Sequence, residues 1–159
     1  MVVVHTADPV VPYSATLHVR DACLCLHAQR AARALARRFD DALRPVGLTN
    51  GQFSLLMSLN RPQPATMASV AELLAMDRTT LTAALKALEP RGLVQVRVSP
   101  DDARRRLLTL TARGRKTLAA ALPIWQREHG SLEASLGGEG RPDRLRRDLQ
   151  ALAAASSPQ

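Results

Sequence analysis

Two clusters of side chains in this sequence carry charge and hydrogen-bonding groups at spacings that suit a polyanion. The first is Asp77-Arg78-Thr79-Thr80-Leu81-Thr82, with Lys86 one turn further on. At helical spacing, Arg78, Thr79, Thr82 and Lys86 share one face, and each has a group able to donate. The second is Asp102-Ala103-Arg104-Arg105-Arg106, with Arg97 just before it. Between Arg91 and Lys116 lie Arg91, Arg97, Arg104, Arg105, Arg106, Arg113, Arg115 and Lys116, opposed only by Asp101 and Asp102. A local excess of this kind neutralises phosphates and releases their counterions. The formal charge of +8 over 159 residues points the same way. Lysine occurs only at Lys86 and Lys116 while arginine is abundant, so composition alone is equally well explained by coding bias. The distribution is the stronger sign.

A third cluster is Cys23 and Cys25, with His18 and His27 nearby. It lacks the paired C-x-x-C or H-x-x-x-H spacing of zinc sites, so no metal is expected. Two cysteines make no disulfide framework, and a reducing cytoplasmic setting is the default. A cysteine at a helix start is ordinarily a small core residue. The alternative is redox sensing by Cys25, with Cys23 as neighbour and Arg20 or Arg30 lowering the thiolate pKa. Two apart on one helix, the cysteines are expected to point about 200° apart and not to bridge easily. Nothing suggests catalysis or a cofactor: there is no glycine-rich nucleotide loop, no H-E-x-x-H and no Ser/His/Asp set.

The elements that position these clusters follow from period and punctuation. Ser69 and Glu72 have capping-box spacing, which predicts a short helix from Val70. Ala75-Met76-Asp77 breaks it, and Asp77 caps a second helix through Glu89. Leu81, Leu85 and Leu88 give that helix one buried stripe. Pro90 and Gly92 end it. Val94, Val96 and Val98 then alternate with Gln95 and Arg97 as a strand, Ser99-Pro100-Asp101-Asp102 turns, and Leu107 to Leu110 returns. Two helices at a short turn followed by a basic-tipped hairpin is the layout of a winged helix-turn-helix. Its second helix is expected in the DNA major groove, with the hairpin reaching flanking backbone or minor groove.

The rest of the chain reads as helices around that unit. Met1 to Thr16, with Pro9 and Pro12, is expected to be an arm, without the basic start and apolar core of a signal peptide. Arg20 to Arg44 carries a stripe at Leu24, Ala28, Ala31, Leu35, Phe39 and Leu43. Thr49 and Gln52 form a capping box for a helix to about Asn60, and Arg61 to Met67 is a loop. Thr111 caps a long helix with Leu118, Leu122, Trp125, His129, Leu132 and Leu136 on one side, which Pro123 should kink or break. Gly137-Gly138-Glu139-Gly140 is a loop, and Pro142 leads into a last helix bearing Leu145, Leu149 and Leu152. No run is long enough to span a membrane. The resulting organisation is an arm and dimerisation helix over 1–47, a winged helix-turn-helix over 48–114, and C-terminal dimerisation helices over 115–159. The fold class is mainly α with a small β-hairpin wing. Stripes that a small winged core cannot cover are expected to bury each other across a two-fold axis, as a homodimer.

The ordered set Leu48-Thr49, Gln52-Phe53, Leu55-Leu56, Leu73-Leu74, Asp77 to Thr82, Leu88-Glu89, Gly92-Leu93-Val94, Asp102 with Arg104, and Leu110-Thr111 with Gly114 resembles the MarR family of transcriptional regulators, over roughly Cys23 to Leu149. The resemblance implies a dimer, formed by helices from both chain ends, that binds a pseudo-palindromic operator in double-stranded DNA. It implies a repressor released by a small aromatic effector or by oxidation. It also implies that Asp102 orients Arg104 for the minor groove. The DNA-contacting residues expected are Arg78, Thr79, Thr80, Thr82, Lys86, Arg97, Asp102, Arg104 and Arg105. Cys25 lies 24 residues before Thr49, much as the reactive cysteine does in hydroperoxide sensors of the family, although Phe39 and Asn50 stand where those sensors have tyrosines. The family often has arginine after T-x-T where this chain has Ala83. With the sparse lysines, that is the support for the alternative: a helical interaction module that no longer reads DNA.

Overall fold

The computed structural model describes residues 10–156. By contacts the chain divides into two units, the first running to Arg37 and the second starting at Arg38. This boundary falls inside a helix, whereas the boundaries expected at 47/48 and 114/115 rest on expected role and not on contacts.

The first unit holds helix α1, Tyr13–Ala22, and most of α2, Leu24–Leu43. Two expectations are corrected here. The arm expected through Thr16 is helical from Tyr13, and its residues 1–9 lie outside those described. The single helix expected from Arg20 is interrupted at Cys23, which is extended (φ −73°, ψ 107°). Cys23 therefore joins two helices. Its Sγ accepts the Leu26 N–H at 3.4 Å, so it serves as the cap of α2.

The second unit contains the rest: a 3-10 turn Arg44–Val46, α3 Asn50–Ser58, β1 Ala65–Thr66, α4 Met67–Leu73, α5 Arg78–Leu88, β2 Val94–Val98, β3 Arg106–Leu110, α6 Ala112–Leu136 and α7 Arg141–Ala155. The strands form an antiparallel sheet in the order β1-β3-β2, with Val96 opposite Leu108 and Ala65 opposite Leu108 on the other edge. The expected loop at 61–67 thus hides a third strand, too short to show alternation. Its continuation sets the start of α4. Thr66 and Ser69 make the reciprocal capping bonds (3.1 and 3.2 Å), so the helix begins at Met67 and not at Val70 as the Ser69/Glu72 spacing suggested.

Leu43, Leu55, Leu56, Val70, Leu81, Leu88, Leu93 and Leu108 are fully buried and centre one core between the helix-turn-helix, the sheet and the start of α6. Three turns leading into it share one hydrogen-bond pattern, a six-residue bond enclosing a four-residue one. Leu48 and Gly47 bond back to Leu43 and Arg44, Met76 and Ala75 to Ala71 and Glu72, and Leu93 and Gly92 to Leu88 and Glu89. This is the Schellman ending. Gly47 and Gly92 take the left-handed position, and Ala75 (φ 50°) takes it between α4 and α5. Arg91 fastens two of these turns: its Nη2 donates to the Gly47 carbonyl at 2.7 Å, and its Nη1 to Gln52 Oε1 at 3.2 Å. That arginine, counted above in the basic excess, is committed to the scaffold.

Thr111 begins α6 as expected, accepting the Gly114 N–H at 2.9 Å. The helix then runs unbroken through Pro123, where a kink or a break is expected from the sequence. Proline removes the bond to the carbonyl four residues back, on Ala119. Both residues are exposed, which leaves that side of the helix open to solvent.

Candidate nucleic-acid interface

Helix α5 presents two faces. Leu81, Leu85 and Leu88 are buried, while Arg78, Thr79, Thr82, Ala83 and Lys86 are exposed. Asp77 caps the helix: Oδ1 accepts the Thr80 N–H at 2.8 Å and Oδ2 the Thr80 hydroxyl at 2.6 Å. The Thr80 hydroxyl, followed by the amides at the helix start, holds the Asp77 carboxyl below its ordinary range. Thr80 is therefore occupied as a capping partner. Thr82 differs from expectation as well. Its hydroxyl donates to the Arg78 carbonyl at 2.7 Å, so toward solvent it offers a methyl group and an acceptor oxygen. Serine and threonine inside helices commonly bond back this way, which sequence spacing does not reveal.

The hairpin tip is tied by its own backbone. Ser99 N–H donates to the Arg105 carbonyl at 2.8 Å, and Arg105 N–H to the Asp102 carbonyl at 2.9 Å. Asp102 Oδ1 accepts the Arg104 N–H at 2.9 Å. The carboxylate thus fixes the backbone of Arg104. Arg78, Lys86, Arg97, Arg104 and Arg105 take part in none of the ion pairs formed among the described residues.

Packing brings the two clusters together. An open groove of about 480 Å³ is lined by Thr66, Met67, Ala68, Arg78, Asp102, Arg104, Arg105 and Arg106. Four arginines and one carboxylate face that space, joining the first turn of α5 to the hairpin. A second depression, of about 350 Å³, follows α5 along Arg78, Thr79, Thr82, Ala83 and Lys86. Arg97 lines neither; it stands exposed on β2 opposite Leu107. Sequence reasoning missed Thr66, Met67 and Ala68, which the Thr66-x-x-Ser69 capping spacing would have placed at a helix start. It also left Arg106 and Ala83 out of the contact set.

A third, apolar pocket of about 370 Å³ lies between α3, the end of α4 and α6, lined by Phe53, Ser54, Met57, Ser58, Leu73, Leu74, Leu122 and Trp125. The Trp125 ring stacks on Phe53 (centroids 6.2 Å apart) and on His129 (4.5 Å). Ser58 spends its hydroxyl on the Leu55 carbonyl at 2.7 Å, and no lining residue is charged.

Both cysteines lie in the first unit. Cys25 is exposed on α2, where its Sγ accepts from Gln29 Nε2 at 3.2 Å; Cys23 is half-buried at the joint before it. The premise that both sit on one helix is corrected by that joint. Phe39 is buried, and the Asn50 N–H is bonded to Asp40. Among the described residues no helix is long and apolar enough to cross a membrane.

A buried-stripe helix after a short turn, next to a hairpin bearing unpaired arginines, defines a winged helix-turn-helix DNA-binding unit. Residues 48–105 match the MarR family. The chain is 34% identical over 92 residues to the transcriptional regulator HosA of Escherichia coli O111:H-, covering 58% of this chain and 68% of that one. It spans 57 to 68% of the length of the first curated relatives it matches. Solved structures cover more. The Mycobacterium tuberculosis regulator MosR in complex with DNA is 40% identical (TM-score 0.74), with 85% of this chain and 99% of that one aligned. The transcriptional repressor CouR, bound to a 23-mer DNA duplex, is 32% identical (TM-score 0.75), with 85% and 95% aligned. The chain belongs to the MarR family. It is a DNA-binding transcriptional regulator and not an enzyme. The interaction-module alternative is not favoured.

Proposed function

We propose that this chain acts in the cytoplasm as a homodimeric repressor that grips a pseudo-palindromic operator and releases it when a small aromatic effector fills the Phe53–Trp125 pocket. The observation that carries the DNA-binding part is the groove uniting Arg78 with Arg104, Arg105 and Arg106. With α5 in the major groove, Arg78, Thr79, Thr82 and Lys86 face bases and phosphates, while the hairpin tip extends to the flanking minor groove. Unpaired guanidiniums at that tip suit a narrow, negative groove, where they read shape more than sequence. Thr80 contributes by fixing Asp77, and Asp102 by fixing the tip; Arg97 supplies long-range charge from β2. The apolar residues Leu145, Leu149 and Leu152 of α7, 43%, 50% and 36% exposed, support pairing of two chains. That the similar proteins CouR and NicR of Pseudomonas putida are both named repressors favours repression over activation.

The test is a salt titration of operator binding. Arg104→Ala is expected to weaken binding to cognate and mutated operators alike and to lower the salt slope by about one per half-site. Unchanged affinity and slope would remove the hairpin tip from the DNA interface.

A further inference from the structure

The exposed face of α5 is polar at its ends and apolar at its centre. Arg78 and Lys86 stand at either end of the 350 Å³ depression, with Thr79, Thr82 and Ala83 between them. Ala83 offers only a methyl. Thr82 has turned its hydroxyl proton to the Arg78 carbonyl, 2.7 Å away, so it presents its own methyl and an acceptor oxygen. The Thr80 hydroxyl is held by Asp77 at 2.6 Å.

The Thr82–Ala83 pair cannot read guanine, whose major-groove edge has only acceptors and needs a donor opposite them. Arg78, Thr79 and Lys86 do have donors, but they flank that pair along the helix. The one apolar feature on the major-groove edge of DNA is the C5-methyl of thymine, which Ala and Thr methyl groups contact. We infer that Thr82 and Ala83 together read the C5-methyl of one thymine in each operator half-site. This rests on the reading that α5 lies in the major groove, and it assigns the position to the residue, Ala83, where arginine is frequent in the resembling family. Removing one buried methyl weakens binding about fourfold per half-site.

The experiment selects an operator from a random duplex pool with the full chain, then replaces each thymine in turn by deoxyuridine, which removes the methyl and nothing else. One position per half-site is expected to lose about fourfold in affinity for the native protein. The same replacement should change binding by less than about twofold in Ala83→Gly and in Ala83→Ser, the second variant guarding against glycine's effect on the helix. Arg78→Ala should weaken both operator forms while keeping the fourfold ratio. The inference is overturned if no thymine is methyl-sensitive, or if the ratio survives in both Ala83 variants. A selected operator that depends on Arg78 and Lys86 yet ignores the methyl sinks this inference alone. Failure to select any sequence sinks it together with the major-groove reading.

Discussion

The Cα of Gly114 faces the carbonyl of Leu93 so closely that an added Cβ would lie 1.9 Å from that oxygen. The same carbonyl accepts the Thr111 N–H at 3.2 Å, and the Thr111 hydroxyl donates to the Gly92 carbonyl at 2.6 Å. These bonds clamp the first turn of α6 to the base of β2, at the foot of the hairpin. Backbone cannot retreat as a flexible side chain does. Gly114→Ala is therefore expected to cost roughly 3 kcal/mol, at the upper end for overpacking, and to loosen the hairpin with it. Urea unfolding checks this. A midpoint equal to that of the native chain would mean that α6 shifts without strain.

The same junction shows what was legible in the sequence. Thr111 is legible as the cap of α6 and Asp77 as the cap of α5, and β2 is legible from its alternation, because each rests on local rules. Long-range or very short features did not appear. β1 is two residues long and pairs with β3 across forty intervening positions, so no local period marks it. Cys23 looked helical because its neighbours on both sides are. Arg91 looked like part of the phosphate-binding excess because its partners, Gly47 and Gln52, are distant in sequence. Thr82 shows the limit at the site itself. Its place on the exposed face followed from spacing, but where its proton goes depends on a rotamer.

Asp77 provides a pH test of the cap. Its carboxyl is held below the ordinary range by the Thr80 hydroxyl and helix-start amides. A depressed folded pKa means that the folded state binds fewer protons than the unfolded chain. The stabilisation is present in full above the unfolded value, near 4, and is lost as pH falls through the lower folded value. The stability gap between the native chain and Asp77→Asn should thus stay constant from about pH 7 to 5 and close below about pH 4. Thermal melts across that range measure it. A gap that closes between pH 7 and 5 would point to a histidine instead.

The α7 stripe gives a test of assembly. Leu145, Leu149 and Leu152 recur at four and three residues on a helix with no buried residue of its own. A charged residue in the middle of a paired stripe is left desolvated without a partner. Leu149→Asp is expected to convert a dimer to a monomer at micromolar concentration while leaving the helical content of the winged unit intact. Sedimentation together with circular dichroism separates the two. Native protein that sediments as a monomer would end the dimer proposal.

The apolar pocket offers the most discriminating test, because its wall holds the chain's single tryptophan. A small aromatic compound entering beside Trp125 should change its fluorescence, giving an affinity without any label. If the pocket is coupled to DNA binding, linkage demands reciprocity. An effector that weakens operator binding by a given factor must itself be bound more weakly, by the same factor, when operator is present. That factor is expected to lie in the range of about 5 to 150. Ser54→Leu, which fills the pocket from α3, should remove the fluorescence change while leaving operator binding in place. Equal effector affinity with and without operator would show that the pocket binds but does not signal. Reciprocal weakening that persists in Ser54→Leu would place the effector elsewhere on the protein.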